Sequence, residues 1–360
     1  MKQDALIYIA GHKGLVGSAI LRTLQKKGYA NLIFRTHAEL DLTRQADVNR
    51  FFATHQPEYV FLAAAYVGGI LANLTYRADF IYINLMIQSN VIRAAYANGA
   101  KKLLFLGSTC IYPRNAPQPM REDSLLASPL EYTNEPYAIA KIAGINMCES
   151  FNLQYGTNYI SVMPTNLYGP NDNFSPETSH VIPGMMRKIH LAHCLRRQDW
   201  ELLRQDLLLR PINGITPETS RQEIIAKLHP YGIRAEHVSL WGTGQPLREF
   251  LWSEEMADAS VYIMENVNFS DLKPAENEIR NTHINIGTGI ETSIREVAEQ
   301  IKNAVGYEGE LYFDPSKPDG TLRKLTDVSK LHALGWRHSI EINEGIKRLY
   351  TWYLNQIKTV

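Results

Sequence analysis

Leu6-Ile-Tyr-Ile-Ala10 runs straight into Gly11-His-Lys-Gly14-Leu-Val-Gly17 and from there into an amphipathic stretch ending near Lys27. A short apolar strand, a glycine-rich turn and a helix in immediate succession open a βαβ unit. The same rhythm continues downstream. Strand candidates are Leu6–Ala10, Asn31–Arg35, Tyr59–Ala63, Lys102–Leu106 and Tyr159–Met163, with helical patterns at Gly14–Lys27, Arg44–Thr54, Phe80–Asn98 and Pro136–Tyr155. This alternation predicts an α/β fold, a doubly wound parallel sheet of the Rossmann type, over residues 1–168. From about Asn166 the rhythm breaks, with Gly169-Pro170, Pro176 and Pro183 close together. Residues 169–360 therefore read as a smaller α/β substrate-binding region, some segments of which can return to the first domain. Within it, His193 to about His237 reads as an inserted helical excursion, with an amphipathic run at Thr219–Leu228 and no legible function.

Bulk composition narrows the classes. The 360 residues are 45% apolar and 21% charged, enough for a sizeable core. Lys plus Arg balances Asp plus Glu at 37 each, so nothing in the overall charge favours nucleic acid or an anionic membrane as partner. Three cysteines (Cys110, Cys148, Cys194) make no disulfide framework and suit a reducing cytoplasm. No Cys-x-x-Cys or His-Glu-x-x-His spacing suggests a metal.

The glycines of the first turn allow a tight bend and close approach of backbone to a pyrophosphate, and the following helix N-terminus offers N–H donors. The spacing is Gly-x-x-Gly-x-x-Gly, a variant of the dinucleotide fingerprint. An NAD site usually ends its second strand on a carboxylate for the ribose 2′-hydroxyl. Here the strand ends Phe34-Arg35-Thr36-His37, with no acid before Glu39. Arg35, or Lys13 in the first turn, can neutralise a 2′-phosphate, although Arg35 also fits a solvated strand end. The missing acid favours NADPH.

Tyr137-Ala-Ile-Ala-Lys141 places a phenol and an ammonium one helical turn apart on one face. There the ammonium can lower the phenol's pKa, making Tyr137 a proton donor and acceptor. Ser108 follows an apolar strand, where its hydroxyl can bond the same substrate oxygen. Such a site suits a carbonyl becoming an alcohol. A lone Tyr-x-x-x-Lys pair is more often helix surface, but a glycine loop upstream and Asn166-Leu-Tyr-Gly-Pro170 downstream support this one.

Several further strings carry a family resemblance. They are Ala63-Ala-Ala-Tyr-Val-Gly-Gly69, Gly107-Ser-Thr-Cys-Ile-Tyr-Pro113, Thr133-Asn-Glu-Pro-Tyr-Ala-Ile-Ala-Lys141, Met163-Pro-Thr-Asn-Leu-Tyr-Gly-Pro-Asn-Asp-Asn-Phe174, Ser179-His-Val-Ile-Pro183, Trp241-Gly-Thr-Gly-Gln-Pro-Leu-Arg-Glu-Phe250 and Lys317-Pro-Asp-Gly-Thr321. Over almost its whole length the chain resembles the extended short-chain dehydrogenase/reductases that act on nucleotide sugars. Within that family it is similar to the NADPH-dependent 3,5-epimerase/4-reductases of GDP-4-keto-6-deoxy-D-mannose. The resemblance implies a catalytic set of Ser108, Cys110, Tyr137, Lys141 and His180. Cys110 and His180 would be the base and acid of epimerisation beside a C4 ketone. It further implies a cofactor site of Gly11, His12, Lys13, Gly14, Leu15, Val16, Gly17, Arg35, His37, Leu106, Gly107, Lys141, Pro164, Asn166, Leu167 and His180. The GDP-sugar substrate would meet Lys188, Trp241, Arg248 and Asp319, with Lys324 secondary, and the family suggests a homodimer through Phe80–Asn98 and Pro136–Tyr155.

Taken alone, Cys110 more often packs as a buried thiol, and an ordinary thiol with a pKa of about 8.5 needs a neighbouring cation or helix end to act as base. His180 is one of 11 histidines. Two departures stand out: the 193–237 block is absent from shorter family members, and Lys188 replaces an arginine, giving a point charge where a fork would sit. A 4,6-dehydratase would need an Asp-Glu pair where Cys110 and Ile111 stand. A 4-epimerase would leave Cys110 idle and retain NAD. A non-catalytic NADP-binding protein would not need Ser108, Tyr137 and Lys141.

Overall fold

The computed structural model describes residues 1–212, 214–274 and 278–358, so Asn213 of the 193–237 block lies outside the described residues. Two units emerge. The first comprises Met1–Leu167, Glu249–Ile290 and Leu325–Ser339; the second comprises Tyr168–Arg248, Glu291–Lys324 and Ile340–Val360. The region after residue 168 is thus discontinuous, because two of its segments complete the first unit.

The first unit is built on a six-stranded parallel sheet. Its strands are β1 (Ile7–Ala10), β2 (Leu32–Ile33), β3 (Tyr59–Leu62), β4 (Lys102–Leu106), β5 (Tyr159–Pro164) and, last in the chain, Ile284–Ile286. Spatially they run β2-β1-β3-β4-β5 and then Ile284–Ile286. The chain leaves β1 in one direction for β2 and returns on its other side for β3. That reversal makes the carboxyl end of β1 the switch point, where open α/β sheets bind ligands. It is where the glycine turn sits.

Alternation along the strands feeds two cores. Ile7, Ile9, Leu104 and Leu106 pack on one face with the helices Leu15–Lys26 (α1) and Ser253–Asn266. Tyr8, Ala10, Leu103 and Phe105 pack on the other with Gln45–His55 (α2), Arg77–Ala97 (α4, after the short α3, Ile70–Thr75) and Glu135–Tyr155 (α5). Side chains pointing alternately to two covered faces explain why these strands are continuously apolar. The helix predicted from Phe80 begins at Arg77, and neither α3 nor the edge strand Ile284–Ile286 was legible as an element.

α5 starts on Pro136 in its first turn and ends at Gly156 in the left-handed region (φ +67°), the usual asymmetry of helix ends. Midway, a Cβ built on Gly144 would lie 2.3 Å from the Phe105 ring. A glycine there lets α5 approach β4 and carries Lys141, one turn earlier, down to the strand's end.

The second unit contains Val181–Arg197 (α6), Trp200–Leu209 (α7) and Arg221–Leu228 (α8), the helices Ile294–Val305 and Ile342–Ile357, and a parallel pair His237–Trp241 with Glu310–Asp314. The block expected to start at His193 begins inside α6. It is well tied to its unit: Arg204 donates to the carbonyls of Pro217 and Thr219 at 2.9 and 2.8 Å, and buried Asp206 pairs with Arg187 at 2.9 Å. No helix among the described residues is long and apolar enough to cross a membrane.

Candidate active site

The glycine turn is as crowded as the sequence implies. Gly11 has φ +87°, and a Cβ there would lie 2.8 Å from the Ala64 amide nitrogen; one on Gly17 would lie 2.1 Å from the Gly11 oxygen. Gly14 caps α1 without a side-chain acceptor, and the helix has no acid in its first turn. Its first N–H groups and positive dipole end therefore remain available to an anion. The His12 ring packs on Phe34 at 4.5 Å, and its buried Nδ1 has no hydrogen-bond partner. Burial and the Lys13 charge lower the His12 pKa. A shape-restricted turn, open N–H donors and an orphaned imidazole nitrogen fit a dinucleotide pyrophosphate. Leu15 and Val16 lie half-buried in the first turn of α1 behind it, and Lys13 is exposed.

At the second strand's end, Glu39 accepts from the Thr36 N–H at 2.7 Å and hydroxyl at 2.8 Å, which lowers its pKa. The nearest acid is thus engaged in a local turn. Arg35 donates to the Phe34 carbonyl at 2.8 Å, lies 5.6 Å from the Phe51 ring and borders a pocket of about 360 Å³ shared with Glu39, Asp47 and Arg50. His37 is exposed, its Nδ1 3.9 Å from Asp41.

Beyond β4 the first unit gathers four of the five catalytic candidates. Gly107 leaves no room for a Cβ, which would meet Met163 at 2.3 Å. Ser108, in extended backbone, caps the short turn Thr109–Ile111 by accepting from the Cys110 N–H at 3.3 Å. Lys141, 3% exposed, donates from Nζ to the Leu106 carbonyl at 2.7 Å and lies 5.7 Å from the Tyr137 ring centre. Cys110 acts electrostatically on both Tyr137 and Lys141, which places all three side chains together. The Phe80 ring meets Tyr137 edge-on at 6.2 Å.

One expectation is corrected. Lys141 does not lower the Tyr137 pKa in this arrangement. Burial raises the phenol's pKa, with a further upward push from Cys110, and burial lowers Lys141 to about 8. Desolvation is the largest cause for both groups, and the ammonium is spent on the Leu106 carbonyl.

Pro164, Asn166 and Leu167 stand at the end of β5, where Asn166 donates to the Glu249 carbonyl at 2.8 Å. The second unit carries the remaining candidates. His180 is the residue before α6, exposed, and its ring nitrogens cap no helix N–H. Partial desolvation lowers its pKa below the usual histidine value. Half-buried Lys188 lies two turns along α6, its pKa lowered by burial. Trp241 is 63% exposed, with Lys317 6.0 Å from its ring. Arg248 donates to its own Leu247 carbonyl at 2.8 Å, and Asp319 partly offsets the burial that lowers its pKa. The Asp319 carboxylate accepts from the Thr243 N–H at 2.7 Å and hydroxyl at 2.9 Å, so it shapes the Gly242-Thr-Gly244 turn. Lys324 pairs in register with Arg248.

Comparison with known proteins follows the same lines. The family model described as "NAD dependent epimerase/dehydratase family" matches residues 7–207 and 205–287. The chain belongs to the NAD dependent epimerase/dehydratase family. GDP-L-fucose synthase 1 of Arabidopsis thaliana is 51% identical, covering 99% of this chain and 95% of its own. A GDP-6-OMe-4-keto-L-xylo-heptose reductase from C. jejuni is 47% identical with a TM-score of 0.92, covering 99% of both chains. A GDP-mannoheptose C4 reductase from Campylobacter jejuni, solved with NADP bound, is 46% identical with a TM-score of 0.86, covering 98% of this chain and 99% of its own.

Within this family member, two buried residues were missed from the sequence. Glu249, fully buried, accepts from Thr288 N–H, Gly289 N–H and Thr326 N–H at 2.6, 2.7 and 2.9 Å and from the Thr326 hydroxyl at 2.5 Å. Its carboxylate ties the two returning segments of the first unit to each other, directly after Arg248 in the chain. Tyr112, two residues beyond Cys110, is 3% exposed and bonded to Asn285. Both lie inside the strings that carried the resemblance, and nothing in the local pattern around Arg248-Glu249-Phe250 singles out Glu249.

Proposed function

We propose that this chain converts GDP-4-keto-6-deoxy-D-mannose to GDP-L-fucose, by epimerisation at C3 and C5 followed by NADPH-dependent reduction at C4. The observation that carries the reading is the cluster of Ser108, Cys110, Tyr137 and Lys141 at the carboxyl end of β4. The 51% identity to a GDP-L-fucose synthase across 99% of the chain supports the sugar.

A ketone at C4 acidifies the hydrogens on C3 and C5, because the carbanion delocalises onto the carbonyl oxygen. One donor site for that oxygen therefore serves both epimerisations. Ser108 and Tyr137 supply the donors. Cys110 takes the proton as thiolate, and His180 returns one to the carbon. In the last step Tyr137 gives its proton to the C4 oxygen; its raised pKa keeps the phenol protonated until a negative oxygen develops. Lys141 holds the end of β4 and orients the cofactor ribose.

The cofactor is held by Gly11 to Gly17, with Leu106, Gly107, Pro164, Asn166, Leu167, His37 and His180 as the further contacts. When bound, NADPH supplies a hydride to a carbonyl carbon. The committed Glu39 and the cations Arg35 and Lys13 support a 2′-phosphate over a free 2′-hydroxyl. Lys188, Trp241, Arg248 and Asp319 bind the GDP-sugar, Asp319 also shaping the Gly242-Thr-Gly244 turn beside Trp241. Exposed Tyr82 on α4 and Ile139, Leu153 and Tyr155 on α5 support a homodimer through those helices.

A second reading, reduction of a related GDP-4-keto heptose, is supported by the two heptose reductases of similar structure. Incubation with GDP-4-keto-6-deoxymannose and NADPH, with product identity read by NMR, separates them. GDP-fucose and stoichiometric NADPH oxidation are expected; no turnover with this sugar but turnover with a keto-heptose would move the assignment.

A further inference from the structure

The Ser108 cap on Cys110 is a long hydrogen bond at 3.3 Å, so the turn that carries both side chains needs a second anchor. Tyr112 closes that turn at its far end, and its side chain is buried. Its hydroxyl lies 2.5 Å from Asn285 Oδ1 and 3.1 Å from His283 Nε2.

Asn285 Nδ2 donates to the carbonyls of Met120 and Asp327 at 3.0 and 3.1 Å, which fixes Oδ1 as the acceptor facing Tyr112. The single Tyr112 hydrogen goes to that oxygen. The Tyr112 oxygen then accepts from His283, whose proton must sit on Nε2. His283 Nδ1 is left buried without a partner, and a second proton there would stand near Lys330 in a dry site. Burial holds the His283 pKa at about 3, so the imidazole stays neutral.

The anchor is rigid on its other side. Asn285 lies on the edge strand Ile284–Ile286, in register with Met163 of β5, and its N–H donates to buried Glu122 at 3.1 Å. Lys330 Nζ donates to the carbonyls of Asn281 and His283 at 2.8 and 2.9 Å. The far end of the catalytic turn is thereby fastened to the sheet itself, while its near end continues from β4.

We propose that Tyr112 is a positioning residue: through the hydroxyl–imidazole–amide chain to His283 and Asn285 it fixes the turn bearing Ser108 and Cys110, and so sets the proton-transfer geometry of Cys110. This rests on the reading of Cys110 as the epimerisation base. Tyr112 sits nearer Cys110 than Ser108 in the chain, so epimerisation depends on it more than hydride transfer does.

Tyr112→Phe is the test. In D2O, deuterium entry at C3 and C5 of the substrate is expected to fall by about tenfold or more, since a displacement near an ångström is enough for that loss. The KM for NADPH should stay unchanged and hydride transfer should fall less. Equal losses in exchange and hydride transfer, tracking the amount of folded protein, would overturn the inference, as would unaltered exchange. Alkylation of Cys110 by iodoacetamide, followed on its own peptide by mass spectrometry, needs no substrate. It should speed up severalfold in Tyr112→Phe, and an unchanged rate sinks the positioning role even where the wild type proves to have another substrate. Should Tyr112→Phe not fold, His283→Leu removes only the donor to Tyr112, and the same readouts apply with smaller expected changes.

Discussion

Lys141 donates from its ammonium to the backbone carbonyl of Leu106 at 2.7 Å, tying the middle of α5 to the last residue of β4. Ser108 follows two residues later, so the lysine holds the strand from which the Ser108–Cys110 turn departs. It does this at a cost: burial lowers its pKa to about 8, from an unfolded value of about 10.4.

The sign of the resulting pH effect follows from proton binding. Between about pH 8 and 10.4 the unfolded chain holds a proton on Lys141 that the folded chain has released, so this group's contribution to stability rises with pH across that window. Below pH 8 both states are charged and its desolvation cost is present in full. Lys141→Met has no such titration. The stability difference between wild type and variant, from urea unfolding without cofactor, should therefore grow across the window by up to about 1.4 kcal/mol per pH unit. A flat difference would show that Lys141 does not titrate there.

Cys110→Ser should abolish deuterium entry at C3 and C5 while leaving some direct reduction at C4, because a hydroxyl is a far weaker base than a thiolate. Tyr137→Phe should do the reverse, lowering reduction by about 10² to 10⁴-fold with exchange partly retained, since only the last step transfers the phenol's proton and Ser108 still donates to the oxygen during epimerisation. NMR of the products together with NADPH absorbance resolves the two. Normal GDP-fucose production by Cys110→Ser removes it as base, and an unchanged rate in Tyr137→Phe removes that proton donor.

Gly17→Ala is expected to abolish NADPH binding. The new Cβ would sit 2.1 Å from the Gly11 oxygen, a backbone atom that cannot swing aside, so relief requires the turn to open. Overpacking of this kind costs about 1–3 kcal/mol of stability. Cofactor fluorescence titration should show the loss in protein that still melts cooperatively; retained affinity would mean that the turn does not carry the pyrophosphate.

The sheet and the clustering of Ser108, Cys110, Tyr137 and Lys141 were legible because their signals are local. β4 was placed to the residue by its run of apolar side chains, and the Tyr137–Lys141 spacing needs only a helix. The Ile284–Ile286 strand escaped because it is three residues long, and Tyr112 because its partners are distant: His283 is 171 residues away. The failed expectation for the Tyr137 pKa has the same origin. Spacing reports which groups face each other, whereas the balance of desolvation and field depends on how much water the fold removes from each.

Asp206 offers the clearest stability test in the second unit. It is fully buried, accepts from Arg187 Nε at 2.9 Å and from Arg210 at 3.4 Å, and receives the Tyr353 hydroxyl. Arg187 is itself 2% exposed, so neutralising the carboxylate leaves a guanidinium buried without its counter-charge. Asp206→Asn should destabilise by about 3–5 kcal/mol, the usual penalty for breaking one side of a buried pair. Arg323→Gln, which removes an exposed ion pair with Glu291, should cost far less, because water screens that pair. Because Arg187 precedes Lys188 on α6, Asp206→Asn should also weaken GDP-sugar binding, measured well below its melting temperature. Equal thermal stability of the two variants would show that the Arg187–Asp206 pair contributes nothing beyond a surface contact.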